Sequence, residues 1–289
     1  MKKYKNFTLP LTPENSNSFI NENMVDLGLT FKNQYLSALP FPHIVFDNFL
    51  KKSFIKKIIS EFPSHKNQDD ILFNNNYEGH NKRQINPNSL DINQRNIFNF
   101  FNSSKFLIFL ENLTGIEGLI PDPHFEGGGF HEIKNKGKLG IHADFRINNK
   151  LRLCRRINLL IYLNQDWQCE YKGNFEIYDK KMKNKIHSIE PLYNRCVIFN
   201  TDEKSYHGHP EPLNLPENLS RKSIALYYYT ASPSIFNEVP NHSTMYENIP
   251  SANIETRLQV LRLKSKNYAR EFLPPILYRF IIKIIRKIK

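Results

Sequence analysis

From Phe130 onward the chain breaks into short β-rich runs, at residues 138–145, 156–163, 174–178, 195–200 and 221–229, separated by polar turn residues. Many short strands joined by polar turns fold as a sandwich or barrel. That texture points to a mainly β core with supporting helices.

The first 125 residues read differently. Residues 1–37 look irregular, with Pro10, Pro13 and many asparagines. Phe41 to Leu50 alternates as a strand does, and Lys51 to Phe62 places Phe54, Ile55, Ile58, Ile59 and Phe62 on one helical stripe. Residues 63–92 are polar and asparagine-rich, and Ser64 to Pro87 is expected to be a loop that lids the substrate. Phe98 to Leu113 returns to helical period until Thr114-Gly115 stops it. Beyond Thr230 the chain is loop-like through Pro250, then helical, with a break at Pro274-Pro275. The expected organisation is therefore a support region over 1–125, a β domain over 126–232, and a loop with a helical tail over 233–289. No internal repeat is present.

Charge narrows the partners. Ten Lys or Arg and one acid, Glu271, lie in residues 257–289, so nine of the twelve net positive charges sit there. The near-neutral body argues against nucleic acid. From Pro275 the basic residues Arg279, Lys283, Arg286 and Lys287 take one helical side and Leu277, Phe280, Ile281, Ile284 and Ile288 the other. Such a helix docks on its own domain or a second copy, or lies peripherally on an anionic membrane surface. The polar N-terminus and the lack of a spanning apolar run point to the cytoplasm, including the inner membrane surface. Three cysteines, Cys154, Cys169 and Cys196, with no CxxC pair, read as buried free thiols in a reducing compartment.

The chemistry concentrates in three places. On a strand, residues i and i+2 face one way, so His142 and Asp144 can meet at one metal ion. A third ligand must come from a later strand, where His207 and His209 are both available. Two histidines and a carboxylate on one face of an octahedral metal leave three adjacent positions open, the arrangement non-haem iron uses. The spacing alone is weak, since His124-x-Glu126 and His209-x-Glu211 repeat it by chance. Arg221 and Ser223 share one face of the run Arg221-Lys222-Ser223-Ile224-Ala225-Leu226-Tyr227. A guanidinium inside a barrel needs an anion, and its planar fork suits a carboxylate. The plain alternative is a solvated strand-start arginine no different from Lys222.

Taken in order, these residues resemble the 2-oxoglutarate- and Fe(II)-dependent dioxygenase superfamily, in its prolyl-4-hydroxylase-like branch. The resemblance spans about residues 41–247. It runs through Phe41 to Leu50, Leu113-Thr114-Gly115-Ile116, Gly127 to Glu132, His142 to Phe145, Asn158 to Trp167, Ser205 to Pro210, and Arg221 to Tyr229. It implies a double-stranded β-helix (a cupin-like jelly roll) backed by helices. It also implies iron on His142, Asp144 and His207, with 2-oxoglutarate held by Arg221 and Ser223, aided by Tyr162 and His131. Oxygen would be the oxidant, ascorbate the reductant, and succinate and carbon dioxide the co-products of hydroxylating an unactivated C–H bond. Small-molecule, glycan and peptidyl substrates all remain compatible. The chain departs from the family in reading Lys172-Gly173-Asn174 where a glycine pair is common, and in a long interval from His207 to Arg221, which keeps His209 open as the ligand. A zinc hydrolase with the same ligands, or a non-redox cupin-like metal protein, would give Arg221 no task.

Overall fold

The computed structural model describes residues 2–16, 26–75, 77, 79–231, 243–272 and 277. Its strands in chain order are β1 (Lys5–Asn6), β2 (His43–Asp47), β3 (Ile71–Asn75), β4 (Gly79–Gln84), β5 (Ile120–Pro121), β6 (Gly129–Ala143) and β7 (Ile147–Asn148). They continue as β8 (Leu153–Tyr162), β9 (Phe175–Tyr178), β10 (Lys185–Ile189), β11 (Cys196–Asn200), β12 (His207–His209), β13 (Arg221–Thr230) and β14 (Met245–Tyr246). The helices are α1 (Leu29–Leu36), α2 (Lys52–Ser60), α3 (Ile92–Phe101), α4 (Ser104–Thr114) and α5 (Ile254–Phe272). Each of the β-rich runs expected from residue 138 onward overlaps a strand.

The strands hydrogen-bond in the order β1-β2-β11-β8-β13-β6-β12-β9-β10, a sheet that curls into the double-stranded β-helix. β6 makes the curl. Its first half pairs with β13 and β4, and its last residues pair with β12 and β14. Side-chain alternation then builds two layers. Ile157, Leu159 and Ile161 of β8, Ile198 of β11, and Ile224, Leu226 and Tyr228 of β13 pack with the helices in the main core. The intervening positions face the barrel, where Tyr162, Val197 and Phe199 join Val45, Phe175 and Ile177. Burying a Leu or Ile of this layer contributes about 1.5–3 kcal/mol.

Several expectations change. The polar stretch expected to be a lid loop is a hairpin, β3 with β4, and β4 pairs antiparallel with β6. Its buried side chains are polar rather than apolar, Arg83 and Gln84, and Arg83 lies 3.1 Å from Asp70 and 2.8 Å from Glu132. Residues 29–36, expected to be irregular, form α1, which buries only Phe31 and Tyr35. The single helix expected over 98–113 is two, α3 and α4, with the break at Asn102 and Ser103, where the Ser103 hydroxyl donates to the Phe100 carbonyl. Gly115 ends α4 as expected, at φ 70° in the left-handed region. All three cysteines are free, but Cys169 is exposed rather than buried. Among the described residues, no helix is long and apolar enough to cross a membrane. The basic amphipathic helix expected over 275–289 lies outside the described residues, apart from the exposed Leu277.

β12 and β6 approach very closely. A Cβ on Gly208 would meet the carbonyl oxygens of Gly140 at 2.6 Å and Leu139 at 2.9 Å, which are backbone atoms and cannot swing aside. His207 faces His142 across this pair. Gly208→Ala is therefore expected to part the two strands, at a cost of about 1–3 kcal/mol. Titration calorimetry should show Mn(II) binding at least about tenfold weaker, with a lower unfolding midpoint. Wild-type values for both would contradict the close approach.

Candidate metal centre

His142 stands near the end of β6, His207 opens β12, and the pairing sets them opposite each other. Asp144 reaches the same point from just past the strand, since β6 stops at Ala143. One ligand atom from each of the three lies within 4.8 Å of the others, and all three residues are buried. The Nδ1 atoms lie 2.8 Å from backbone oxygens, Gly140 for His142 and Ser205 for His207. A carbonyl only accepts, so each Nδ1 carries the hydrogen and each Nε2 presents its lone pair. These lone pairs meet the Asp144 carboxylate at 3.5 and 3.4 Å. Three acceptors facing one another are unfavourable unless a cation lies among them, so the donor set fits a divalent metal. Burial pushes the His207 imidazole down to about 4, against the attraction of Asp144, so it is neutral and ready to ligate at physiological pH.

A second layer orients the carboxylate. The Asn158 amide donates to Asp144 Oδ2 at 2.6 Å, and Arg155 Nη2 lies 3.0 Å from the same oxygen. Arg155 Nε in turn donates to Asn158 Oδ1 at 2.8 Å, and its guanidinium stacks 3.5 Å from the centre of the Tyr227 ring. Burial alone would raise the Asp144 carboxyl, but the Arg155 guanidinium holds it well below the usual carboxylate range. Phe199 and Phe175 wall His207, with ring centres at 4.7 and 5.5 Å, and Tyr246 of β14 covers His142 at 5.4 Å.

Beside the metal ligands lies a row of polar side chains on three adjacent strands. Ser223 of β13 sits opposite Tyr162 on β8 and opposite His131 on β6, and all three line the metal cavity. Arg221, two residues earlier on the same face, is buried with its Cζ 4.9 Å from the centre of the Tyr162 ring. Its Nε donates to the Gly173 carbonyl at 2.9 Å, and no acid among the described residues pairs with it. A Cβ on Gly173 would collide with Leu213, so the one glycine kept from the usual pair is the one the turn requires. Lys222 points the other way, its Nζ 5.0 Å from the centre of the Phe62 ring on the helix side. Among the described residues, the buried Tyr162 hydroxyl and His131 Nε2 have no hydrogen-bond partner. A buried fork without an acid, beside orphaned polar atoms, fits a dicarboxylate ligand.

His209 lines the same cavity, but it falls opposite Leu139 across a register shift and outside the ligand cluster. Three cavity residues escaped the sequence reading. Asn158 carries a signal that was available, a polar side chain at an inward position of the apolar strand β8, whereas Arg155 is out of that alternation and lies beyond the register shift between Tyr228 and Tyr229. Lys82 of β4 carried none, since a lysine on a polar strand looks solvated. Burial pushes its ammonium down to about 8, Asp144 opposing and Arg221 and Arg155 adding to the depression.

Residues 128–229 match the family profile described as the 2OG-Fe(II) oxygenase superfamily. No curated protein matches in sequence. Among solved structures, a prolyl-4-hydroxylase from Pseudomonas putida is 15% identical, covers 71% of this chain and 100% of its own, and has a TM-score of 0.49. A prolyl hydroxylase from Trichoplax adhaerens, in complex with a peptide fragment of the hypoxia inducible factor oxygen degradation domain, is 16% identical over 74% of this chain and 95% of its own (TM-score 0.48). HygX from Streptomyces hygroscopicus with nickel and 2-oxoglutarate bound is 11% identical over 69% and 86%, at TM-score 0.43. The domain spanning residues 128–229 belongs to the 2OG-Fe(II) oxygenase superfamily.

Proposed function

We propose that this protein is an Fe(II)- and 2-oxoglutarate-dependent oxygenase of the prolyl-4-hydroxylase-like type that hydroxylates an unactivated C–H bond. One observation carries the reading: the three-ligand cluster and a buried guanidinium with no acidic partner share one cavity. His142, Asp144 and His207 would hold the iron, and Arg221, Ser223 and Tyr162 the 2-oxoglutarate, with His131 beside them. Bound together, metal and keto acid supply an oxidative decarboxylation that couples succinate and carbon dioxide release to oxygen insertion.

The chain's own residues do the rest. Burial raises the Tyr162 phenol, against the Arg221 charge, so it stays protonated and offers a hydrogen to a carboxylate. Asn158 and Arg155 fix the carboxylate plane of Asp144, so the ligand geometry is set before the metal arrives. Phe175, Phe199 and Tyr246 keep water from the ligand face. Ascorbate as the reductant, a cytoplasmic location, a peptidyl, glycan or small-molecule substrate, and peripheral membrane or self-docking through residues 275–289 belong to the same proposal. Residues 126–232 are read as the catalytic unit, with residues 1–125 as its support.

The test is succinate formation by the full chain with Fe(II), 2-oxoglutarate and oxygen. Slow succinate release without a substrate is expected, absent when the metal is replaced by zinc. Failure to bind 2-oxoglutarate in the metal-loaded protein would return the site to hydrolytic or non-redox metal chemistry.

A further inference from the structure

The metal cavity is unbalanced in charge. Lys82, Arg155 and Arg221 line it, and Asp144 is the one acid among its described lining residues. Asp144 is matched by Arg155 at 3.0 Å. A divalent metal and a doubly charged keto acid cancel each other. Two cationic side chains then remain over, one of them the arginine that grips the keto acid. The other, Lys82, makes no hydrogen bond or ion pair to a described residue and rests 4.6 Å from the centre of the Phe73 ring. A partly desolvated ammonium left this way is costly, and an anion brought beside it recovers that cost.

Its position says which anion. Lys82 belongs to β4, outside the row β8-β13-β6 that carries Tyr162, Ser223 and His131. It also lies outside the segment that matches the oxygenase profile, residues 128–229. It shares the cavity face of the β4-β6 pair with His131 and Ile133, while the groove that holds Lys66 and Lys134 opens on the opposite face, with Arg83 and Glu132. The acid in that groove, Glu132, is already taken by Arg83 at 2.8 Å and by the Ser220 hydroxyl at 2.8 Å. A molecule seated over the metal from the β4 side meets Lys82, whereas the side chains suited to the co-substrate stand on the other strands.

We propose that the primary substrate is anionic and that Lys82 binds its carboxylate or phosphate group inside the metal cavity. This rests on the oxygenase reading for what is oxidised, but not for the anion site itself. Sulfate is a suitable probe, because it carries the charge and leaves Mn(II) in solution. The unfolding midpoint of the full chain, loaded with Mn(II) and 2-oxoglutarate, is followed against sulfate at fixed ionic strength balanced with chloride.

Wild type should show saturable stabilisation by sulfate over chloride. Lys82→Met should weaken it at least about tenfold, and Lys82→Arg should keep it within about threefold. The 2-oxoglutarate affinity should be the same in all three proteins. Equal sulfate response in Lys82→Met overturns the proposal, as does no sulfate response in wild type. Weakened 2-oxoglutarate binding in Lys82→Met also overturns it, since Lys82 would then belong to the co-substrate. If wild type binds no 2-oxoglutarate at all, the oxygenase reading falls by itself, and the sulfate titration of the Mn(II) protein still decides the role of Lys82.

Discussion

Asp144→Ala is expected to abolish divalent metal binding and to destabilise the protein even when no metal is supplied. The first effect follows from the donor set. Two neutral imidazoles remain, and an oxygen-loving cation loses its only charged ligand, so Mn(II) affinity should fall by ~100-fold or more. The second follows from Arg155, whose side chain is 2% exposed and 3.0 Å from Asp144 Oδ2. Removing the carboxylate strands a buried guanidinium, a change that costs roughly 3–5 kcal/mol. Asp144→Asn separates the two effects from packing. It keeps the volume but loses the charge, so metal binding should fall as far as in the alanine variant. Calorimetric metal titration with thermal unfolding of all three proteins checks this. A variant that binds one equivalent of Mn(II) with wild-type affinity would remove Asp144 from the ligand set.

The metal cavity is far more legible in the sequence than its surroundings, and the reason is physical. His142, Arg221, Ser223 and Tyr162 stand on apolar strands where every second residue faces inward. A polar residue at an inward position is therefore conspicuous. The β3-β4 hairpin offers no such contrast. Ile71 and Leu72 are exposed, and the buried side of β4 holds Arg83 and Gln84. Those are satisfied by Asp70, Glu132 and the backbone of Phe125 and Gly128. Such a strand is specified by long-range pairing, so its local pattern reads as a loop. α1 was hidden for a related reason, since a helix that buries two residues leaves almost no stripe. The reason for expecting Asp144 beside His142 holds only in part. The i, i+2 rule needs a strand through Asp144, yet β6 ends one residue earlier and the hydrogen bond from Asn158 completes the placement.

Arg221→Ala should raise the apparent KM for 2-oxoglutarate ~100-fold or more while leaving the metal affinity close to wild type. Its Nε is committed to Gly173, which points the terminal nitrogens into the cavity beside Tyr162. Two charge-assisted hydrogen bonds to a carboxylate, at about 1.5–3 kcal/mol each, account for that factor. Arg221→Lys retains the charge without the fork and should lie between the two. Lys222→Ala, on the helix side, should leave the KM unchanged, and an equal rise there would assign the 2-oxoglutarate carboxylate to Lys222 instead. Stability supplies an independent readout. The free protein carries Arg221 buried and without an acid, so its removal should cost the free protein little. Added 2-oxoglutarate should raise the unfolding midpoint of the Mn(II)-loaded wild type but not of Arg221→Ala. A large loss of stability in the free variant would show instead that the guanidinium is held for packing on Tyr162. The absence of an acid beside it would then say nothing about a ligand.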